Sequence, residues 1–254
     1  MLFPKLLKNM LKSSGLLLNV RLCFYSAAFL HLVIVAIYVL SIDMSHDADP
    51  RVSAYISLRW RLLTCWFNLI TLAYFPVCIY CDWMERRGEA DRTRVAMVRQ
   101  VKDLVMTSIL FPTIMYADTF FWRLWHKDPG LIAPVRIFEY LPDWSHHSLH
   151  TLSMIVIILD LLIVPRRRPD SMLPNLVLMT AFFATYSFVL FWSHLNGESV
   201  YAMFDIFDTR KLMVLLLFSF TEYLFYFTVQ WCIIDYVWGQ QKSYEIQCSV
   251  TRLK

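Results

Sequence analysis

Apolar residues in this chain gather into six long, nearly continuous stretches: Cys23–Ile42, Leu62–Cys81, Leu104–Trp122, His147–Pro165, Met172–Ser193 and Leu212–Ile234. A bilayer core is crossed by about 20 predominantly apolar residues in helical form. The pattern therefore predicts an all-α polytopic membrane protein with six transmembrane helices. Strands of a membrane barrel are roughly 10 residues long and alternate in polarity, and neither property is present. The first stretch exceeds the roughly 7–15 apolar residues of a cleaved signal sequence, so it is expected to remain as a helix. Pro76 and Pro112 fall inside the second and third stretches and are expected to kink them, with neighbouring helices satisfying the freed carbonyls.

Composition strengthens this picture. The chain is 58% hydrophobic and 17% charged, against about 45–50% and about 25% in soluble domains. Five glycines argue against a glycine-rich nucleotide loop. The organisation expected is one six-helix domain over residues 1–243 with a short cytoplasmic tail at 244–254.

Charge then orients the bundle. With the N-terminus inside, 16 Lys and Arg face the cytoplasm and 8 face outward, the asymmetry that membrane insertion favours. Both termini are expected in the cytoplasm. The net charge of +4 is read as this orientation signal. The basic residues form no stripe interleaved with stacking aromatics, so nucleic acid is not an expected partner.

The alternating directions of the spans bring a set of polar residues to one level near the outer surface. Thr64 opens the second segment and His150 opens the fourth. Asp118 and Thr119 lie where the third leaves the membrane, and His194 where the fifth does. A hydroxyl and an imidazole at matched depth suggest a nucleophile and its base. Taken alone, Thr64 reads more simply as a helix-start threonine bonded to a backbone carbonyl or a neighbouring helix. An ionisable residue inside a membrane is costly and is a functional candidate by default. That applies to His150, and to Asp118, Asp160 and Glu222. Asp118 is at the level to orient His150 as the third member of a triad. Asp160 and Glu222 could pair with His31 or line a proton path, and helix–helix hydrogen bonding would serve for all three carboxylates.

Other groupings carry less. His146, His147 and His150 form a dense cluster, but the pattern lacks the glutamate of H-E-x-x-H and has no evident third ligand, so no metal is expected. His146 and His147 read as interfacial residues facing water. Cys78-x-x-Cys81 lacks the context of a redox motif and reads as two small hydrophobes. Trp60, Trp122, Trp125, Trp144 and Trp192 fall at the expected outer boundary and read as an interfacial belt.

Several stretches together resemble a known family. They are Arg59-Trp60-Arg61-Leu62-Leu63-Thr64, Phe111-Pro112 with Phe121-Trp122, Leu131-Ile132-Ala133-Pro134, and the run from Pro142 to Thr151. Gly197-Glu198-Ser199-Val200-Tyr201 follows, then Tyr236-Val237-Trp238 with Gln241-Lys242-Ser243. Their order and spacing are similar to those of the androgen-induced and androgen-dependent TFPI-regulating protein family. The resemblance spans roughly residues 20 to 243. It implies a six-helix membrane hydrolase, without cofactor, that cleaves fatty acid esters of hydroxy fatty acids drawn from the bilayer. A threonine nucleophile and a histidine partner carry over onto Thr64 and His150. Asp118, His194 and Asn68 are candidate supporting residues, and Trp60 is a further candidate oxyanion donor. The chain departs from the family in three places. Phe67 stands where Asn or Asp is usual, with Asn68 following; Asp118 stands at an apolar position; His146 replaces a usual Asn. The implied location is a multi-pass integral protein of the endoplasmic reticulum or plasma membrane. Two competing readings are a non-catalytic regulator or scaffold of another membrane protein, and a proton-coupled carrier using His31, Asp160 and Glu222.

Overall fold

A computed structural model describes residues 14–239. The tail at 244–254, the Gln241-Lys242-Ser243 stretch and Lys5, Lys8 and Lys12 of the orientation count lie outside the described residues. Within them every regular element is helical. We label the elements α1 (Ser14–Ser41), α2 (Pro50–Leu58), α3 (Leu63–Arg86), α4 (Thr93–Lys127), α5 (Ile137–Tyr140), α6 (Asp143–Ile163), α7 (Leu173–Leu195), α8 (Met203–Ile206) and α9 (Thr209–Trp238). The six long ones, α1, α3, α4, α6, α7 and α9, have the length and hydropathy to span a membrane. The multi-pass membrane architecture stands. We call the end bearing Thr64 the upper end.

The spans differ in how much of each faces lipid. The apolar window of α4 is 67% buried, while no other span exceeds 33%. α4 is thus the central post, and α1, with Leu30, Ile34 and Ile37 exposed, is a peripheral stave. α4 also begins at Thr93, before the expected Leu104, because its first turns carry Arg94, Arg99 and Lys102 and lie below the apolar stretch.

Two spans contain a π-helical turn, Met106–Leu110 in α4 and Ser148–Leu152 in α6. Such turns widen a helix by one residue and frequently mark functional sites. The first precedes Pro112, which has no N–H to donate to the Ser108 carbonyl. Neighbouring helices knot this turn in place. Gln230 Nε2 of α9 donates to the Thr107 carbonyl at 2.6 Å, and Asn175 Nδ2 of α7 donates to Thr107 Oγ1 at 2.8 Å.

A buried ionic knot closes the lower end. Arg166 Nη2 lies 2.7 Å from Asp160 Oδ2, Arg166 Nε lies 3.2 Å from Asp103, and the Tyr25 and Tyr74 hydroxyls bond the same Asp160 carboxylate. Arg21 pairs with Asp82 and, at 3.2 Å, with Glu85. These contacts overturn the pairing of Asp160 or Glu222 with His31. Asp160 binds Arg166, Glu222 binds Arg123, and His31 Nε2 is buried without a partner. The arginines won because each can reach its carboxylate from an adjacent element, which removes the observation behind a proton path.

At the upper end, α2, α5 and the turns around them form a cap. Met44, Val52, Ile132 and Ile137 pack together over Phe121 of α4. Asp47 fastens the cap, accepting from Arg136 Nε at 2.9 Å and from the Tyr140 hydroxyl at 2.6 Å. Of the expected tryptophan belt, Trp60, Trp144 and Trp192 are exposed. Trp122 and Trp125 instead turn toward histidines: Trp122 packs on His126 and His147, and Trp125 on His146 and Phe121.

Candidate active site

Beneath the cap lies a cavity of about 250 Å³, walled chiefly by apolar side chains of α1, α3, α4, α7 and α9. Thr64, Asn68, His146 and His150 reach it. Thr64 and His150 thus share one chamber, as their matched depth suggests.

Thr64 sits in the first turn of α3. A 3-10 turn, Arg59–Arg61, precedes it, and the extended Leu62 (φ −67°, ψ 140°) breaks the chain between the two. This break decides the state of the hydroxyl. Thr71, Thr107, Thr185, Thr221 and Thr228 each donate to the carbonyl four residues back. For Thr64 that carbonyl belongs to Trp60, outside the helix, and it accepts the Trp66 indole N–H at 3.1 Å instead. Among the described residues Thr64 Oγ1 makes no hydrogen bond, so the helix-start back-bond does not form. The Thr64 N–H is a first-turn amide, a class without intrahelical acceptors, and lies at the positive end of the helix dipole. Asn68 Nδ2 donates to the Thr64 carbonyl at 2.8 Å, and the Tyr201 hydroxyl accepts the Leu63 N–H at 3.1 Å, so the turn is held from both sides.

His150 sits in the middle of the second π-turn. Its Nδ1 lies 3.0 Å from Asp118 Oδ1 of α4, and Phe121 stacks flat on the ring at 3.7 Å between centroids. Asp118 is fully buried. Ser153 Oγ lies 2.5 Å from its other oxygen, Oδ2, and 2.7 Å from the Leu149 carbonyl. A hydroxyl has one proton for those two acceptors. Asp118 therefore satisfies Ser153 either as a carboxylate or as an acid with its proton on Oδ2. In both states Oδ1 keeps lone pairs for a His150 Nδ1–H, which fixes the tautomer and leaves Nε2 as the free acceptor.

Among the described residues no hydrogen bond joins Thr64 to His150; they are two walls of one cavity. His194 lies outside the lining, with Nδ1 2.9 Å from Ser199 Oγ, because the turn after α7 folds it toward that loop. His146 is buried rather than water-facing and lines the cavity, with Nε2 unpartnered. Cys78 and Cys81 are free thiols buried in the core. Among the described residues no cluster of three or more His, Cys, Asp or Glu is arranged to hold a metal ion. Sequence reasoning overlooked Ser153, Tyr201 and Phe121. Each left a signal: Phe121 and Tyr201 stand in stretches that resemble the family, and Ser153 stands three residues after His150.

The FAR-17a/AIG1-like family matches residues 26–232, from the first span to the last. The chain belongs to that family. It is 27% identical to the androgen-dependent TFPI-regulating protein of Mus musculus, covering 63% of this chain and 68% of the relative. Against the Homo sapiens protein of the same name identity is 24%, over 74% and 79% of the two chains. The androgen-induced gene 1 protein of Homo sapiens is 22% identical, over 73% and 80%. No solved structure matches the chain.

Proposed function

We propose that this membrane protein is a threonine-dependent lipid ester hydrolase acting on fatty acid esters of hydroxy fatty acids. The observation that carries the reading is the unbonded Thr64 hydroxyl on the wall of an apolar cavity whose other wall holds a buried Asp118–His150 pair. A charged or polar pair inside a bilayer costs free energy, and its orientation of a histidine toward an apolar chamber gives that cost a use.

The reaction runs in two halves. With an ester carbonyl between the two walls, His150 Nε2 takes the proton of Thr64 Oγ, and Oγ attacks the carbonyl carbon. The tetrahedral oxyanion is met by the Thr64 N–H at the helix terminus, a preorganised donor of the kind that contributes most to such steps. Collapse breaks the bond to the alcohol oxygen, and His150 Nε2 returns the proton to it, releasing the hydroxy fatty acid. Water then attacks the acyl-threonine while His150 accepts its proton. Collapse breaks the acyl–Oγ bond, His150 Nε2 returns the proton to Thr64 Oγ, and the fatty acid leaves. Asp118 holds the ring throughout and steadies the imidazolium.

The test replaces Thr64 with Ala and with Ser in the full chain, matched for expression, and measures ester cleavage in detergent micelles. Thr64→Ala is expected to lower kcat by roughly 10³-fold or more, while Thr64→Ser retains activity. Undiminished turnover in the Ala variant would remove Thr64 as the nucleophile.

A further inference from the structure

The chamber contains one charged side chain. Among its lining residues there is no Asp, Glu or Lys, and the only arginine is Arg59. Four other arginines of the bundle meet carboxylates: Arg21 with Asp82, Arg61 with Glu198, Arg123 with Glu222, Arg166 with Asp160. Among the described residues Arg59 has no carboxylate within ion-pair distance. Its Nη1 reaches only the Val39 carbonyl, at 3.5 Å, its Nε is buried without an acceptor, and its remaining contact is the Trp60 ring at 5.8 Å. Arg59 is half-buried, and its Nε is shut from water with no acceptor, which leaves the guanidinium short of hydrogen-bond partners on the chamber side. That shortage is relieved where a ligand supplies the anion.

We propose that Arg59 anchors a ligand carboxylate, so that this cavity takes lipids that keep a free carboxyl group. The planar fork of a guanidinium matches a carboxylate with two parallel hydrogen bonds. The two terminal nitrogens form the edge of that fork that a ligand can reach, since Nε is covered and Nη1 makes only the long contact to the Val39 carbonyl. The neighbouring polar side chains, Thr64, Asn68, His146 and His150, include no second fixed cation such as a phosphate monoester calls for. Arg59 stands five residues before Thr64 on the turn that leads into α3. Anchoring at Arg59 therefore brings the headgroup to the nucleophile's end of the chamber, with the acyl chains against the apolar walls. The inference deepens the hydrolase reading and rests on it for what is cleaved, but what is bound can be measured without turnover.

The experiment uses the full chain carrying Thr64→Ala, so that no ligand is consumed, in nanodiscs of phosphatidylcholine. Radiolabelled oleate is bound and competed with unlabelled oleate, methyl oleate and oleoyl lysophosphatidate. Oleate is expected to compete about tenfold or more better than methyl oleate, the scale of a charge-assisted bidentate contact, and better than the lysophosphatidate. Arg59→Gln is expected to erase the preference for oleate while methyl oleate still binds, and Arg59→Lys to restore part of it. Equal competition by oleate and methyl oleate, a preference for the lysophosphatidate, or a preference that survives Arg59→Gln each overturns the assignment. If Arg59→Gln binds neither lipid, the comparison of acid with methyl ester on the Arg59 protein decides alone. A chain inert toward esters that still prefers the acid would sink the hydrolase reading and leave the anchor standing.

Discussion

Replacing Asp118 with leucine tests the logic of the membrane-embedded pair most directly. Leucine keeps the branched four-atom shape of aspartate, with two somewhat larger methyls in place of the oxygens, and suits an apolar wall, so the fold is expected to survive. Two contacts are lost, the one to His150 Nδ1 at 3.0 Å and the one to Ser153 Oγ at 2.5 Å. Ser153 keeps the Leu149 carbonyl at 2.7 Å as its acceptor, so the loss falls on His150. A buried hydrogen bond between a charged and a polar group contributes about 1.5–3 kcal/mol. At 1.36 kcal/mol per decade of rate, kcat should fall roughly 10- to 150-fold, with further loss if Nε2 takes the proton instead of Nδ1. Asp118→Asn behaves differently. Ser153, donating to Leu149, accepts from the new amide nitrogen, which turns the amide oxygen toward His150 and keeps the tautomer. The loss should therefore be smaller for Asn than for Leu. The assay is lipid ester hydrolysis by purified protein in micelles, with unfolding temperature measured in parallel. A leucine variant that folds normally and turns over within twofold of the parent would refute the pairing as a catalytic device, and an Asn variant worse than Leu would refute the role given to Ser153.

Two further outcomes concern the ends of the bundle. Arg166→Leu leaves the Asp160 carboxylate buried with no cation beside it, and breaking a buried pair in this way costs about 3–5 kcal/mol. Heating in detergent, followed by thiol labelling of buried Cys78, should show the single variant opening early and Arg166→Leu/Asp160→Leu recovering much of the difference; a double variant no better than the single would count against the knot. In the cap, the Tyr140 hydroxyl, the Asp49 backbone N–H and the Arg136 guanidinium hold the Asp47 carboxyl below its ordinary range. Because the folded value lies below the unfolded one, about 3.9, this contribution is complete above about pH 4 and is lost as pH falls through the folded value. Hydrogen exchange over residues 42–61 and 128–142 should therefore quicken on acidification below about pH 4 beyond the intrinsic rate, and Asp47→Asn should reduce that acid response; an unchanged response in the variant would contradict it.

Much of the architecture was legible in the chain itself. Six spans follow from length and hydropathy because a bilayer leaves the backbone no alternative to satisfying its own hydrogen bonds. The shared level of Thr64, Asp118 and His150 follows from the alternation of span direction, which holds whichever way the bundle faces. The pattern could not rotate the helices. Asp118, Asp160 and Glu222 are equivalent in sequence, each a carboxylate in an apolar run, and only packing sends the first to His150 and the others to Arg166 and Arg123. His194 shares the level of the site yet turns to Ser199, a choice made by the turn after α7. His146 likewise turns inward, where it packs on Trp125 and Phe138.

Arg59 shows the division most sharply. In the sequence it is one of three basic residues before the second span and reads as part of the orientation count. Its separation from the carboxylates of the described residues, with Nε covered and the guanidinium at an apolar chamber, arises from contacts between residues distant in the chain. Hydropathy reports how far each segment sits from water, and so the sequence determines the spans and the depth of their polar residues. Which side chains meet depends on helix rotation and on where a helix breaks or widens, and that was decided only by tertiary packing.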